Sequence, residues 1–226
     1  MPDGTTTITE EHLQEERRTV ETILGGTIGG GIIAVAGVVL AIIGLAGTYP
    51  RWLLGAATIA VGISFLLEGA AIASRLAELV HESTKGRVEM SQLGSGVTGE
   101  TLAGIVGIVL GILGSLNVYP AVLLPVAAIV YGAGLILGAG ANVRVNELIV
   151  GHREEEATAR FAIRQAVLAT TGLQVFIGLA AVTLGIIALA SAYPITLSLV
   201  AMLIVAGAFV LSDTAIAGRL LSVLRR

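Results

Sequence analysis

One pattern is written three times along this chain: a long apolar run, the pair Tyr-Pro, and a second long apolar run. The pairs are Tyr49-Pro50, Tyr119-Pro120 and Tyr193-Pro194, at near-equal intervals. The apolar runs cover residues 25–48, 52–73, 98–118, 121–141, 167–191 and 194–216. At about 1.5 Å of rise per residue, runs of this length cross a hydrocarbon core of about 30 Å. The pattern predicts an all-α integral membrane protein, with six transmembrane helices arranged as three helical hairpins of the same orientation. Proline suits each turn because it cannot continue the preceding helix yet fits the first position of the next. Tyrosine suits it because an apolar ring with a polar tip partitions to the headgroup layer, and Trp52 beside the first turn follows the same logic.

Composition agrees. Hydrophobic residues make up 55% of the 226 and charged residues 13%, with mean hydropathy +0.92. Soluble domains are about 25% charged, so this chain has too little polar surface to be one. With no cysteine, disulfides, thiolate metal sites and cysteine nucleophiles are excluded. The first apolar run follows an acidic, polar segment, unlike a cleavable signal peptide, and is expected to be retained as a helix.

Charge orients the hairpins. Arg17, Arg18, Arg75, Lys85, Arg87, Arg144, Arg153, Arg160, Arg164, Arg219, Arg225 and Arg226 fall on one side, and Arg51 alone on the other. The positive-inside rule then places both termini and the two polar loops in the cytoplasm and the Tyr-Pro turns outside. The expected division is a cytoplasmic segment 1–24, a hairpin 25–73, a loop 74–97, a hairpin 98–141, a helical loop 142–166, and a third hairpin with a short basic tail, 167–226. A short helix is expected after Thr7 or Thr9. The second loop reads as helical from about Arg153, with no Gly or Pro until Gly172 and with Glu156 and Arg160 as an i,i+4 pair, so a fifth helix projecting from the membrane is expected.

Aligning the hairpins on Tyr-Pro exposes a face of small residues on each odd-numbered helix. They are Ala34, Gly37, Ala41 and Gly44; Gly104, Gly107, Gly111 and Gly114; and Gly178, Ala181, Gly185 and Ala188. Their i, i+3, i+7, i+10 spacing puts each set on one side of its helix. Small residues let backbones approach closely, and in lipid that contact replaces hydrophobic drive. The odd helices are therefore expected to pack inward, around one another or against their even partners. Because each unit crosses twice, the units share one orientation and are expected to be related by an axis along the membrane normal. Each even run ends near an arginine, Arg75, Arg144 or Arg219, suited to reach the headgroups and the negative helix end.

The stretch Gly104-Ile105-Val106-Gly107-Ile108-Val109-Leu110-Gly111-Ile112 through Pro120, with Leu184-Gly185-Ile186-Ile187 through Pro194, resembles the HdeD family of short-repeat prokaryotic membrane proteins. The similarity spans about residues 25–220. The acidic N-terminus and the 142–166 segment depart from that family's compact pattern. The resemblance implies a prokaryotic cytoplasmic-membrane protein with a role in acid stress, and it implies no catalytic or ligand residue.

Three ionisable residues fall within the apolar runs: Glu68, Glu100 and Asp213. Carboxylates at such depth are candidate cation or proton sites, and the alternative is an interfacial carboxylate paired with arginine or water. His12, His81 and His152 lie outside the runs, so none is placed to ligate a haem within the bilayer; protonation of the latter two would add charge beside the membrane. Gly25-Gly26-Thr27-Ile28-Gly29-Gly30-Gly31 lacks the lysine and the preceding strand of a phosphate loop. No catalytic triad, metal cluster or nucleic-acid patch is evident, and no cofactor is expected. The reading is a non-enzymatic membrane protein, structural or stress-related, acting as a homo-oligomer or as an accessory subunit through its cytoplasmic segments, with membrane lipids as its surroundings. The alternative is a small channel or transporter for protons or cations using Glu68, Glu100 and Asp213.

Overall fold

The computed structural model describes residues 29–82, 90–150 and 157–224, with side chains described within 29–70, 99–139 and 171–212. Among the described residues there are six helices and no strand. They are α1 (Gly29–Leu45), α2 (Pro50–Glu82), α3 (Met90–Ser115), α4 (Pro120–Val150), α5 (Ala157–Ala190) and α6 (Pro194–Leu224). Four carry stretches long and apolar enough to cross a membrane: Pro50–Ala70, Pro120–Ala139, Thr171–Ala190 and Pro194–Ser212. The apolar parts of α1 and α3, Gly29–Leu45 and Gly99–Ser115, are shorter. This is the architecture of a helical membrane protein.

The first polar segment differs from expectation. Most of 74–97 is helical, because α2 continues to Glu82 and α3 begins at Met90. The helix expected from about Arg153 is observed from Ala157 and continues through the fifth apolar run as α5. No Gly or Pro occurs between Ala157 and Gly172, so no local breaker separates the two parts.

The Tyr-Pro turns show why the pair recurs. In each, the tyrosine carbonyl accepts the first bond of the next helix, from Leu53, Leu123 and Leu197 respectively, at 3.1, 3.0 and 3.2 Å. The proline at the first helical position needs no such partner. The preceding helix must be closed just upstream. Gly47 and Asn117 do so with left-handed backbone, at φ 92° and 64°, a conformation these two residue types tolerate. Val118 N–H completes the second turn by donating to the Leu113 carbonyl at 3.0 Å, the wide bond of a Schellman closure. The third turn uses a side chain instead: Ser191 Oγ accepts from Tyr193 N–H at 3.2 Å. Tyr49 and Tyr119 also take positive φ, 40° and 38°.

The helices close into a ring. α2 packs on α3, α3 on α4, α4 on α5 and α5 on α6. α1 completes the circuit: Gly37 faces Ala60 and Val61 of α2 and Ala206 of α6, and Gly44 faces Leu53 and Leu199. Inside the ring α2, α4 and α6 touch one another, whereas α3 and α5 do not meet among the described residues. The even helices therefore form the centre, and the odd helices lie in the grooves between them. Of the two packings open to the small-residue faces, the one against even helices is observed.

The division of labour is physical. At equivalent positions after their prolines, the even helices carry Leu54, Leu124 and Ser198; Thr58, Ala128 and Met202; Val61, Tyr131 and Val205; and Phe65, Leu135 and Phe209, all buried. These side chains fill the axis. Phe65 stacks on Tyr131 with centroids 5.1 Å apart and meets Phe209 edge-on at 4.8 Å. The odd helices can sink into the surrounding grooves only because their inner faces are small, and all twelve small residues are buried. Their outer faces expose large apolar side chains such as Ile32, Ile105, Val109, Phe176 and Ile186, as a lipid-facing flank requires.

Candidate functional site

Two polar side chains in the bundle occupy places shaped for them by glycines. The first is Tyr131 on α4, fully buried. Its hydroxyl crosses to α2 and donates to the Thr58 carbonyl at 2.6 Å. Its ring lies directly over Gly107 of α3, where a β-carbon would overlap it, and its hydroxyl passes Gly62 of α2. Thr58 and Ser64 bond to carbonyls of their own helix, at Leu54 and Ala60, and Ser64 Oγ also lies 3.3 Å from the Gly30 carbonyl of α1. Thr183 likewise bonds back, to Leu179. These hydroxyls are taken up by the helices themselves.

The second is Glu100 on α3. It is 1% exposed, and neither Oε1 nor Oε2 has a hydrogen-bond partner. The carboxyl lies against the backbone of Gly138 on α4, where any side chain would overlap Oε1. The arrangement inverts the one at Tyr131: there α3 supplies the glycine and α4 the large polar side chain. Glu68 on α2 is half-buried and has an interaction partner. The two carboxyl-bearing residues share a level of the bundle, because their neighbours Gly69 and Thr101 are in contact across α2 and α3.

The side chain of the third carboxylate, Asp213, lies outside the described residues, as do those of Arg75, Arg144, Arg219, His12, His81 and His152, and the helix expected after Thr7 or Thr9. The residues assigned to anchoring at the turns are well exposed: Tyr49 76%, Tyr119 78%, Tyr193 74% and Trp52 63%. Between the second and third turns, Tyr119 and Tyr193 border a shallow, open basin of about 790 Å³, lined also by Arg51, Asn117 and Thr196 among others. Among the described residues no group of His, Asp and Glu is arranged to hold a metal ion.

Neither Tyr131 nor Gly138 is marked as a site residue by the repeat pattern. Tyr131 did leave a signal, as the one tyrosine of four outside the Tyr-Pro pairs. Gly138 left a weaker one. It occupies the same place after Pro120 that Glu68 occupies after Pro50, while Glu100 occupies the same place before Pro120 that Gly30 occupies before Pro50. Hairpins one and two thus carry the carboxyl on opposite helices, with a glycine at the corresponding place of the other helix.

No protein-family model matches the chain, and comparison with curated proteins and with solved structures likewise gives no match.

Proposed function

We propose that this protein is a non-enzymatic integral membrane scaffold, structural or stress-related, working as a homo-oligomer or as an accessory subunit of a membrane complex. In this reading all six helices cross a prokaryotic cytoplasmic membrane, with both termini and the 74–97 and 142–166 segments on the cytoplasmic side. The HdeD-like character rests on the glycine-isoleucine stretches before Pro120 and Pro194. The observation that carries the scaffold reading is the filled axis. Four successive levels of buried side chains from α2, α4 and α6 interlock at Phe65, Tyr131 and Phe209, which favours a rigid body over a conduit. Partner contact would fall to the polar segments 1–24 and 142–166.

Purification from native membranes in mild detergent, with mass spectrometry of what co-purifies, tests this. A stoichiometric protein partner, lost on deletion of residues 1–24 or on charge reversal within 153–164, supports it. A stoichiometric small substrate with no protein partner and no self-association overturns it.

A second reading, a proton or cation conductor using Glu68, Glu100 and Asp213, is favoured by the unpartnered carboxyl of Glu100. Flux into proteoliposomes, abolished by Glu100→Gln, would establish it, and absence of flux in the unaltered protein would remove it.

A further inference from the structure

The seat of Glu100 requires an occupant that hydrophobic packing does not supply. A glutamate wholly enclosed between two helices, with both oxygens lacking a donor, is costly to bury. The site is nonetheless built for it. Gly138 is the one residue type that leaves room there, since any β-carbon would collide with the carboxyl group. Repeat symmetry does not force the pair, because the third hairpin has Gln174 and Ser212 at the corresponding places.

The surroundings select the ligand. Hard metal cations take several oxygen ligands, and the carboxyl of Glu100 faces a residue without a side chain, on a helix whose carbonyls are engaged in its own ladder. A proton needs one oxygen only. Bound there, it removes the charge and with it most of the burial cost. The helices packed on α3 are α2 and α4. Among their described side chains the ionisable groups are Arg51 at the opposite, Tyr-Pro end, Tyr131, whose hydroxyl is committed to Thr58, and Glu68 at the same level as Glu100. No described cation lies at that level, and a second carboxyl nearby disfavours a second negative charge.

We propose that Glu100, seated against Gly138, is a proton-binding site: its carboxyl carries the proton within the seam between α3 and α4 and exchanges it when that seam opens. The ligand is the proton itself and not a metal cation. The inference rests on neither reading of the whole protein. A scaffold can carry such a site as a sensor, and a conductor can carry it as a relay.

Two measurements on the full-length protein in liposomes test it. Infrared spectroscopy should show a protonated-carboxyl stretch that shifts on transfer to heavy water, disappears in Glu100→Gln and persists in Glu68→Gln. A membrane-soluble carbodiimide should modify Glu100. The acid O–H adds across the C=N bond to give an O-acylisourea, which rearranges to a stable N-acylurea retaining the whole reagent mass, located by mass spectrometry. Modification should slow as pH rises, because the reaction consumes the protonated acid, and should be indifferent to sodium or potassium at constant ionic strength. The proposal is overturned if no band is lost in Glu100→Gln while that variant keeps the melting temperature of the parent. It is equally overturned if Glu100 stays unmodified while other carboxyls react, or if sodium or potassium protects it.

Discussion

Replacing Gly107 by alanine adds one methyl group and should be among the most damaging single changes in the bundle. A β-carbon there overlaps the Tyr131 ring, which is fully buried and held on both sides. To admit it, Tyr131 must move off Phe65, with which it stacks at 5.1 Å, and off the Thr58 carbonyl, to which it donates at 2.6 Å. Losing a buried hydrogen bond costs about 1–2 kcal/mol, the ring contact about 0.5–1.5 kcal/mol, and overpacking about 1–3 kcal/mol. The better helix propensity of alanine returns about 1 kcal/mol. The net destabilisation is therefore roughly 1.5–5.5 kcal/mol. Leu110→Ala one turn away, on a side chain that is only half-buried, should cost only about 1–2 kcal/mol, despite removing three carbons. Equilibrium unfolding in mixed micelles, followed by circular dichroism, compares the two. The contact itself is tested by a double-mutant cycle with Tyr131→Leu, which vacates the space, so the second change should cost less in the presence of the first. If Gly107→Ala leaves unfolding unchanged, or the cycle is additive within about 0.5 kcal/mol, the reasoning is refuted.

Four further outcomes follow from the same geometry. Gly132→Ala should be destabilising by about 1–3 kcal/mol, because its β-carbon would meet the Gly178 carbonyl and the Val182 N–H, and backbone cannot rotate aside; Gly207→Ala on α6, with nothing within 4 Å, should instead raise thermal stability by a few tenths to about 1 kcal/mol. Phe65→Ala should cost about 3–5 kcal/mol, since it removes the ring through which α2 meets both Tyr131 and Phe209, and should show as a lower melting temperature with loss of near-ultraviolet dichroism. Gly138→Ala should destabilise by expelling Glu100 from its place, and combining it with Glu100→Ala should restore most of the loss; equal melting temperatures for Gly138→Ala and the double variant would contradict the proposed fit.

Much of this architecture is legible in the chain. The Tyr-Pro pairs mark the hairpin turns because two local demands coincide there. A helix must start on a residue that needs no N–H partner, and the ring beside it belongs at an interface. The small-residue faces were visible for a similar reason, since i, i+3, i+7, i+10 spacing is a property of one helix. Less legible was which helices would occupy the centre. Each even helix carries large and small residues on several sides, so periodicity within one run does not distinguish the axis from the flank. The two polar segments differ in this respect: 157–166 shows its helix by lacking any breaker, whereas 74–82 is hydrophilic enough to read as loop although α2 runs through it.

The candidate site shows the same boundary. Glu100 stands out in the sequence as a carboxyl within an apolar run, and Tyr131 as the one tyrosine away from a turn. Their partners do not stand out, because Gly138 and Gly107 belong to other helices and are two among thirty glycines. Sequence alone determined that the chain is helical, membrane-like and threefold repeated, because turn chemistry and hydrophobic length act within a few residues of chain. The closed ring, the central place of α2, α4 and α6, and the burial of Glu100 over a bare stretch of α4 were decided by tertiary structure. They depend on which side chain meets which glycine across a helix interface, and that complementarity has no counterpart in spacing along a single helix.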